Sequence, residues 1–419
     1  MERLSRRDFI AASAGTLASI PALAQGNPDL VVHEWGVVSV AYGSTVWGNA
    51  RSAGAKAMKG AEVAPDLPPF VSKWEENVKE QIQDWRMQPV DKPVVYFYAN
   101  RSMDVSFKVS IPGGRPKAWW PPTADWGPGF QGRYRKGIQR DDPEETKLEN
   151  IKPGNGFISW KKLTLDPGIA RFPKAEGWWP VARKVDATPF RFADPPTPMK
   201  FGLRRKPLPE DFPRAEKFLF YDALTPFEPG LEVNFRKGAV DVKNRGRGAL
   251  SHVIAIQVRN GRCSSGLATD LAPDATATLA PAEGPPALAG ALVEAGLFRK
   301  EADAVAEIWS DEFLKVEGAR VLALMPRSVY DTLMPIEVAP APKEIVRVLI
   351  AHLECLDAEA QAEVALWIGK LDSDSVKERA AAGASLKRTL PMSEALIRQA
   401  AERATDAEVK ARLLDLLKG

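Results

Sequence analysis

Of the side chains most used for nucleophilic and metal chemistry, the 419-residue chain holds three histidines and two cysteines. His33 and Glu34 are neighbours in Val32-His33-Glu34-Trp35-Gly36, a stretch of strand character. Adjacent side chains on a strand point to opposite faces. The pair therefore reads as a candidate polar site whose members act separately, with Trp35 as a core residue. His252 shares a face with Ile254, Ile256 and Val258 and reads as an edge-of-core residue. His352 and Glu354, two apart in a stretch read as helix, fall on different faces. A serine or cysteine nucleophile needs a histidine and a carboxylate in space. No G-x-S-x-G elbow is present, and Cys263-Ser264-Ser265-Gly266 reads only as a turn-like segment. Cys263 and Cys355 either form one bridge or stay as two thiols. Glycoside hydrolysis needs only two carboxylates across a cleft. Asp125, Asp141, Asp142, Glu144, Glu145 and Glu176, all in long loops, are the candidates. No catalytic residue is assigned.

The aromatic residues are more informative. Trp119-Trp120-Pro121 and Trp178-Trp179-Pro180 are two copies of one tripeptide, with Trp126 close to the first. In extended chain one Trp of each pair can anchor inward while the other faces out. An outward indole is a platform for a sugar ring. Arg133 and Arg135, with Lys136 and Arg140, place cations beside it that suit an anionic glycan. The competing reading is a satellite core at the end of the sheet domain.

These residues need elements to position them. Met103, Val105, Phe107, Val109 and Ile111 alternate with polar residues, the period-two signature of a strand with one wet face. Leu231 to Phe235 and His252 to Val258 repeat it. Pro93 to Ala99 is apolar throughout and predicts a central strand, and Asn260-Gly261 is a turn signal. A β-rich, antiparallel sandwich-like domain is expected over residues 29–282. Phe70 to Met87 has helical spacing, and a loop runs from Trp119 to Phe157.

Beyond Pro285 the pattern turns helical. A connector over 285–340 is expected to hold two helices around Gly296 and a short strand at Val321 to Leu324. An α-helical domain over 343–419 is expected, as a hairpin stack or small bundle. Its helices are Lys343 to Leu356, Ala358 to Leu371, Val376 to Leu390, Glu394 to Arg403 and Glu408 to Lys418. Ser375-x-x-Glu378 and Thr405-x-x-Glu408 read as capping boxes.

Residues 1–24 read as an export signal. Ser5-Arg6-Arg7-Asp8-Phe9-Ile10 precedes an apolar run from Ala11 to Ile20 and the cleavage-type sequence Ala22-Leu23-Ala24. This resembles a twin-arginine signal peptide and implies a periplasmic or secreted protein. The run is too short for a lasting membrane span, and none is expected in the mature chain.

Four further segments carry a resemblance. They are Val32 to Gly36, Lys92-Pro93-Val94-Val95-Tyr96-Phe97-Tyr98, Lys217-Phe218-Leu219-Phe220-Tyr221, and Gly318 to Arg327 running on to Leu333-Met334-Pro335-Ile336. Together they resemble an uncharacterised family of secreted bacterial proteins with an H-E-W-G segment and no established activity. Where that family has Thr-Phe-Thr, this chain has Val37-Val38-Ser39. Where the family has Gly-Arg-Ile-Glu, it has Ala351-His352-Leu353-Glu354. The resemblance implies a domain plan and a location, and it assigns no catalytic residue.

Composition narrows the function. With 57 Lys and Arg against 54 Asp and Glu, the chain lacks the basic excess of a nucleic-acid binder. No dinucleotide, P-loop, haem or H-E-x-x-H motif is present, and no cofactor or metal is expected. The leading expectation is a non-catalytic binding or scaffold protein with an aromatic-rich loop site for a glycan or similar ligand, its helical region open to a protein partner. The alternative is an extracytoplasmic polymer hydrolase using loop carboxylates.

Overall fold

The computed structural model describes residues 27–41, 67–74, 87–127, 130–131, 152–153, 155–195, 203–204 and 208–417. The expected export signal (1–24), residues 75–86 of the helix expected from Phe70 to Met87, and Arg133 and Arg135 lie outside them, as do Asp141, Asp142, Glu144 and Glu145; Ser72 to Trp74, in the described start of that expected helix, is strand.

Strands are numbered along the chain. The large sheet runs, in spatial order, β11 (Leu203–Arg204), β2 (Ser72–Trp74), β5 (Arg115–Trp120), β13 (Phe218–Pro226), β3 (Met87–Ala99), β1 (Asn27–Ala41), β22 (Pro342–Cys355), β20 (Gly318–Met325), β16 (Leu250–Arg259), β17 (Arg262–Leu271) and β19 (Ala282–Glu283). A second sheet holds β12 (Ala215–Glu216), β10 (Phe190–Arg191), β9 (Gly156–Leu165), β4 (Met103–Ile111) and β21 (Ile336–Ala339), and β6 (Asp125–Gly127) also pairs with β9. The alternation read in β4 is realised: Val105, Phe107, Val109 and Ile111 are buried, and the residues between them are not. Phe107 of β4 and Phe190 of β10 meet Phe97 of β3 edge-on at 6.3 and 6.0 Å. The two sheets thus share one core, as expected of a sandwich. Among the described residues the strand pairing is antiparallel except between β1 and β22, which run parallel.

A small sheet of β14 (Leu231–Arg236), β15 (Ala239–Asn244) and β18 (Thr276–Leu279) stands beside these, and β7 (Phe130–Gln131) pairs with β8 (Lys152–Pro153). Helices α1 (Trp179–Ala182), α2 (Leu288–Glu294), α3 (Arg299–Leu314) and α4 (Arg327–Leu333) belong to the sheet core, and α5 (Ala358–Lys370), α6 (Val376–Arg403) and α7 (Ala407–Leu416) follow it. One core gathers residues from Leu30 to Cys355, and a second is built from Val364, Leu371, Ala382, Leu386, Ile397, Ala401, Leu413 and Leu416. No helix among the described residues is long and apolar enough to cross a membrane.

The fold corrects four local readings. Lys343 to Leu356 is strand β22, not a helix. Val346, Leu349, Ile350 and Leu353 do have helical spacing. The full run from Val348 to Leu353 is nevertheless buried at every position, as in a strand covered on both faces, and a short apolar run does not distinguish the two. The helices expected on either side of Pro391 form one continuous helix, α6. Helix α7 is capped by Asp406, whose carboxylate accepts from the Glu408 and Val409 amides, rather than by Thr405. Cys263 to Gly266 lies within β17 rather than in a turn, and that strand joins β16 through Asn260 and Gly261, both at positive φ.

Strand order also decides the cysteine question. Cys355 of β22 pairs with Ala319, Ala319 with Gln257, and Gln257 with Ser264, the neighbour of Cys263. Three strand steps separate the thiols by roughly 14 Å, about twice the reach of a disulfide. Alkylation of the unreduced, denatured protein is expected to label both cysteines. A mass showing neither labelled would contradict this strand order.

Candidate functional site

The histidine and Glu34 positions flagged from sequence are held in hydrogen-bonded networks. His33 and Glu34 do point to opposite faces of β1. His33 Nδ1 lies 2.7 Å from Glu301 Oε2 of α3, and Tyr98 Oη donates to Glu301 Oε1 at 2.8 Å. Glu301 also accepts the Phe298 amide at 2.7 Å, so one carboxylate caps its own helix and ties it to β1 and β3. On the other face, Arg347 Nε donates to Glu34 Oε2 at 2.5 Å, and Tyr221 Oη donates to Glu34 Oε1. Arg347 reaches further, to Asp331 at 2.8 Å and the Met334 carbonyl at 2.8 Å, and its guanidinium lies 4.0 Å over the Tyr330 ring. Burial is the largest single influence and works against the Arg347 cation, but Glu34, Tyr330 and Tyr221 together outweigh it and hold its pKa above the usual arginine value. Gly36 completes this packing: a Cβ there would stand 2.9 Å from Tyr330 Oη.

The other two histidines are engaged as well. His352 Nε2 lies 2.9 Å from Glu354, which Arg320 also bonds at 3.0 Å. Burial works to raise the Glu354 carboxyl; His352 and Arg320 overcome it and hold it below the usual range. His252 Nε2 lies 3.0 Å from Glu294 of α2. The His352 network belongs to an ordered interior, whereas Glu294 is exposed and its bond to His252 sits at the surface.

The tryptophans are not platforms. Trp119, Trp120, Trp126, Trp178 and Trp179 are all buried, the most exposed at 6%. The expectation that one Trp of each pair faces outward fails for two separate reasons. Trp119 and Trp120 lie in β5, whose two faces are both covered. Trp178 and Trp179 open helix α1 in helical conformation, with Pro180 in its first turn, so the opposite-face rule for extended chain does not apply. Phe70 joins the two pairs, with its ring centroid 4.4 Å from Trp120 and 5.7 Å from Trp179. The Trp179 indole donates to Glu216 at 3.0 Å, and Arg183 holds Glu216 through two bonds. Among the hydrolytic candidates, Asp125 is half-buried and paired with Lys161 at 3.3 Å, and Glu176 is exposed.

An open cleft lies elsewhere. The small sheet alternates strictly: Leu231, Val233, Phe235, Val240 and Val242 enter the main core, and the other face stays wet. Register sets that wet face in two rows, Glu232–Lys243–Thr276 and Asn234–Asp241–Thr278. Opposite stand Gln361 of α5 and Met392, Leu396 and Gln399 of α6, across a cleft of about 600 Å³. Gln361 Nε2 donates to the Phe235 and Leu356 carbonyls at 3.2 and 2.9 Å, joining helix to sheet. Arg236 bonds Asp241 at 2.6 and 2.7 Å and Thr278 adds a bond at 2.7 Å; this holds the Asp241 carboxyl below its usual range. Arg245 pairs with Glu232 at 2.6 Å. Lys243 makes no salt bridge among the described residues.

The cleft offers polyhydroxylated ligands hydrogen-bond donors and acceptors on one wall and an apolar wall of Met392 and Leu396 on the other. It contains no His, and among the described residues no three His, Cys, Asp or Glu side chains gather as metal ligands. As a cleft, these residues carry no local sequence signature. The alternation of Leu231 to Phe235 was visible, but the partners across the cleft are more than a hundred residues away. Comparison with protein-family models, curated proteins and solved structures finds no match to this chain.

Proposed function

We propose that this chain is an exported, non-catalytic binding protein that takes a glycan segment or similarly polyhydroxylated ligand in the cleft between the small sheet and helices α5 and α6. The observation that carries this reading is the wet face of β14, β15 and β18. A sheet face bearing two rows of hydrogen-bonding side chains looks onto a helical wall without packing against it. The export part rests on Arg6, Arg7 and the apolar run that follows them. The tryptophans support the site only indirectly, by fixing the sandwich that carries the small sheet.

Retention of the mature chain on a panel of polysaccharides tests the reading, with released sugar scored in the same assay. Asn234→Ala and Lys243→Gln are each expected to weaken retention about tenfold or more, the loss of roughly 1.4 kcal/mol. Each should change stability by less than about 0.5 kcal/mol, because neither side chain packs in a core. Unchanged retention in both variants would refute the cleft, and released sugar would replace binding with hydrolysis.

A further inference from the structure

Three adjacent strand pairs, across β1, β3, β13 and β5, lose register at one level of the large sheet. Opposite the Phe220–Ala223 stretch of β13, strand β3 carries one residue too many: Phe220 faces Val94, but Ala223 faces Val90. The same excess shows against β1, where Trp35 faces Val94 and Val37 faces Asp91. On the other side of β13, Asp222 faces Ala118 and Ala223 faces Pro116, which leaves Lys117 of β5 as the extra residue. These are β-bulges. Lys92 in the β3 bulge has φ of 52°, a left-handed conformation uncommon for a side chain of its size.

Both bulges flank Asp222, which is buried at 4% exposure. The Lys92 amide donates to Asp222 Oδ1 at 2.8 Å and so fixes the left-handed turn. The Lys92 ammonium sits 4.4 Å over the ring of Trp309 in α3. Trp309 is fully buried and stacks on Phe313 of the same helix at 5.2 Å. The charged groups acting on Asp222 are Asp91 and Lys92 from β3 and Lys117 from β5; Trp309, the contact from α3, is uncharged.

We propose that Asp222 is a proton-operated latch for helix α3. When Asp222 is protonated and neutral, the Lys92 ammonium rests on Trp309 and holds the helix to the sheet. When Asp222 ionises, its carboxylate competes for that ammonium and draws it from the ring. The step moves one proton between Asp222 and solvent and breaks no other bond.

Burial first, and the neighbouring Asp91 second, push the Asp222 carboxyl up to about 6. The sign follows from that rise. The latched form is favoured fully below the ordinary carboxylate range, near pH 4, and the advantage is lost as pH rises through about 6. A rise of about two units makes the latch up to about a hundred-fold looser at neutral pH than at pH 4.

Hydrogen exchange of residues 299–314 in the mature chain, corrected for intrinsic rates and followed from pH 4.5 to 8, tests the latch. Protection of α3 is expected to fall progressively between about pH 4 and about pH 6 in the native protein and to level off above it. Asp222→Asn should hold α3 at its low-pH protection throughout. Asp91→Asn should lower the pH at which the fall levels off, because it removes the like charge. Protection independent of pH in the native protein, or a fall that both variants leave in place, overturns the proposal.

Discussion

Glu34→Ala is expected to lower the free energy of unfolding by about 3–5 kcal/mol, the cost of leaving one member of a buried ion pair without its partner. Glu34 and Arg347 are both wholly excluded from solvent, and they bond at 2.5 Å across the parallel pair β1 and β22. Removing the carboxylate strands a guanidinium among Tyr330, Tyr221 and Met334, with Asp331 at its outer end as the remaining countercharge. It also takes the acceptor from Tyr221. The paired replacement Glu34→Met with Arg347→Met should recover much of the loss, since similar apolar volume without charge is often tolerated at such sites. Urea denaturation of the three proteins measures both effects. A loss below about 1 kcal/mol for the single variant would place this pair among weakly coupled surface contacts.

Trp179→Ala is expected to cost about 3–5 kcal/mol, the range for emptying a buried aromatic site. The indole fills space between Phe70, Trp178, Phe218 and Phe220 and supplies a donor to Glu216. Arg183 remains to hold Glu216, so the loss falls mainly on packing. Thermal unfolding gives the stability, and retention of ligand by the folded fraction should be unchanged. Native-like stability with lost retention would restore the tryptophan pairs as a ligand platform and remove the ground for assigning them to the core.

Residue pattern exposed the sandwich wherever one face of a strand is wet. The alternation in Met103–Ile111 and Leu231–Arg236 and the Asn260-Gly261 turn are local signals, and the folded chain keeps them. Strand β22 was hidden because a central strand buried on both faces loses its alternation, and Val346, Leu349, Ile350 and Leu353 then mimic a helix. The buried pairs were hidden by distance along the chain: Glu34 and Arg347 are 313 residues apart, and His33 and Glu301 are 268. Tryptophan clustering was legible, but its meaning depended on what covers each face. The cleft had no local signature at all, because one wall comes from β14, β15 and β18 and the other from α5 and α6.

The central claim is that ligand is held between the small sheet and the helices rather than at the tryptophan pairs. Hydrogen exchange of the protein with and without a polysaccharide that retains it locates the ligand directly. Protection is expected over residues 231–245, 276–278, 356–361 and 392–399, with no change at 119–126 or 178–182. Protection confined to the tryptophan segments, with the cleft unaffected, would contradict the account.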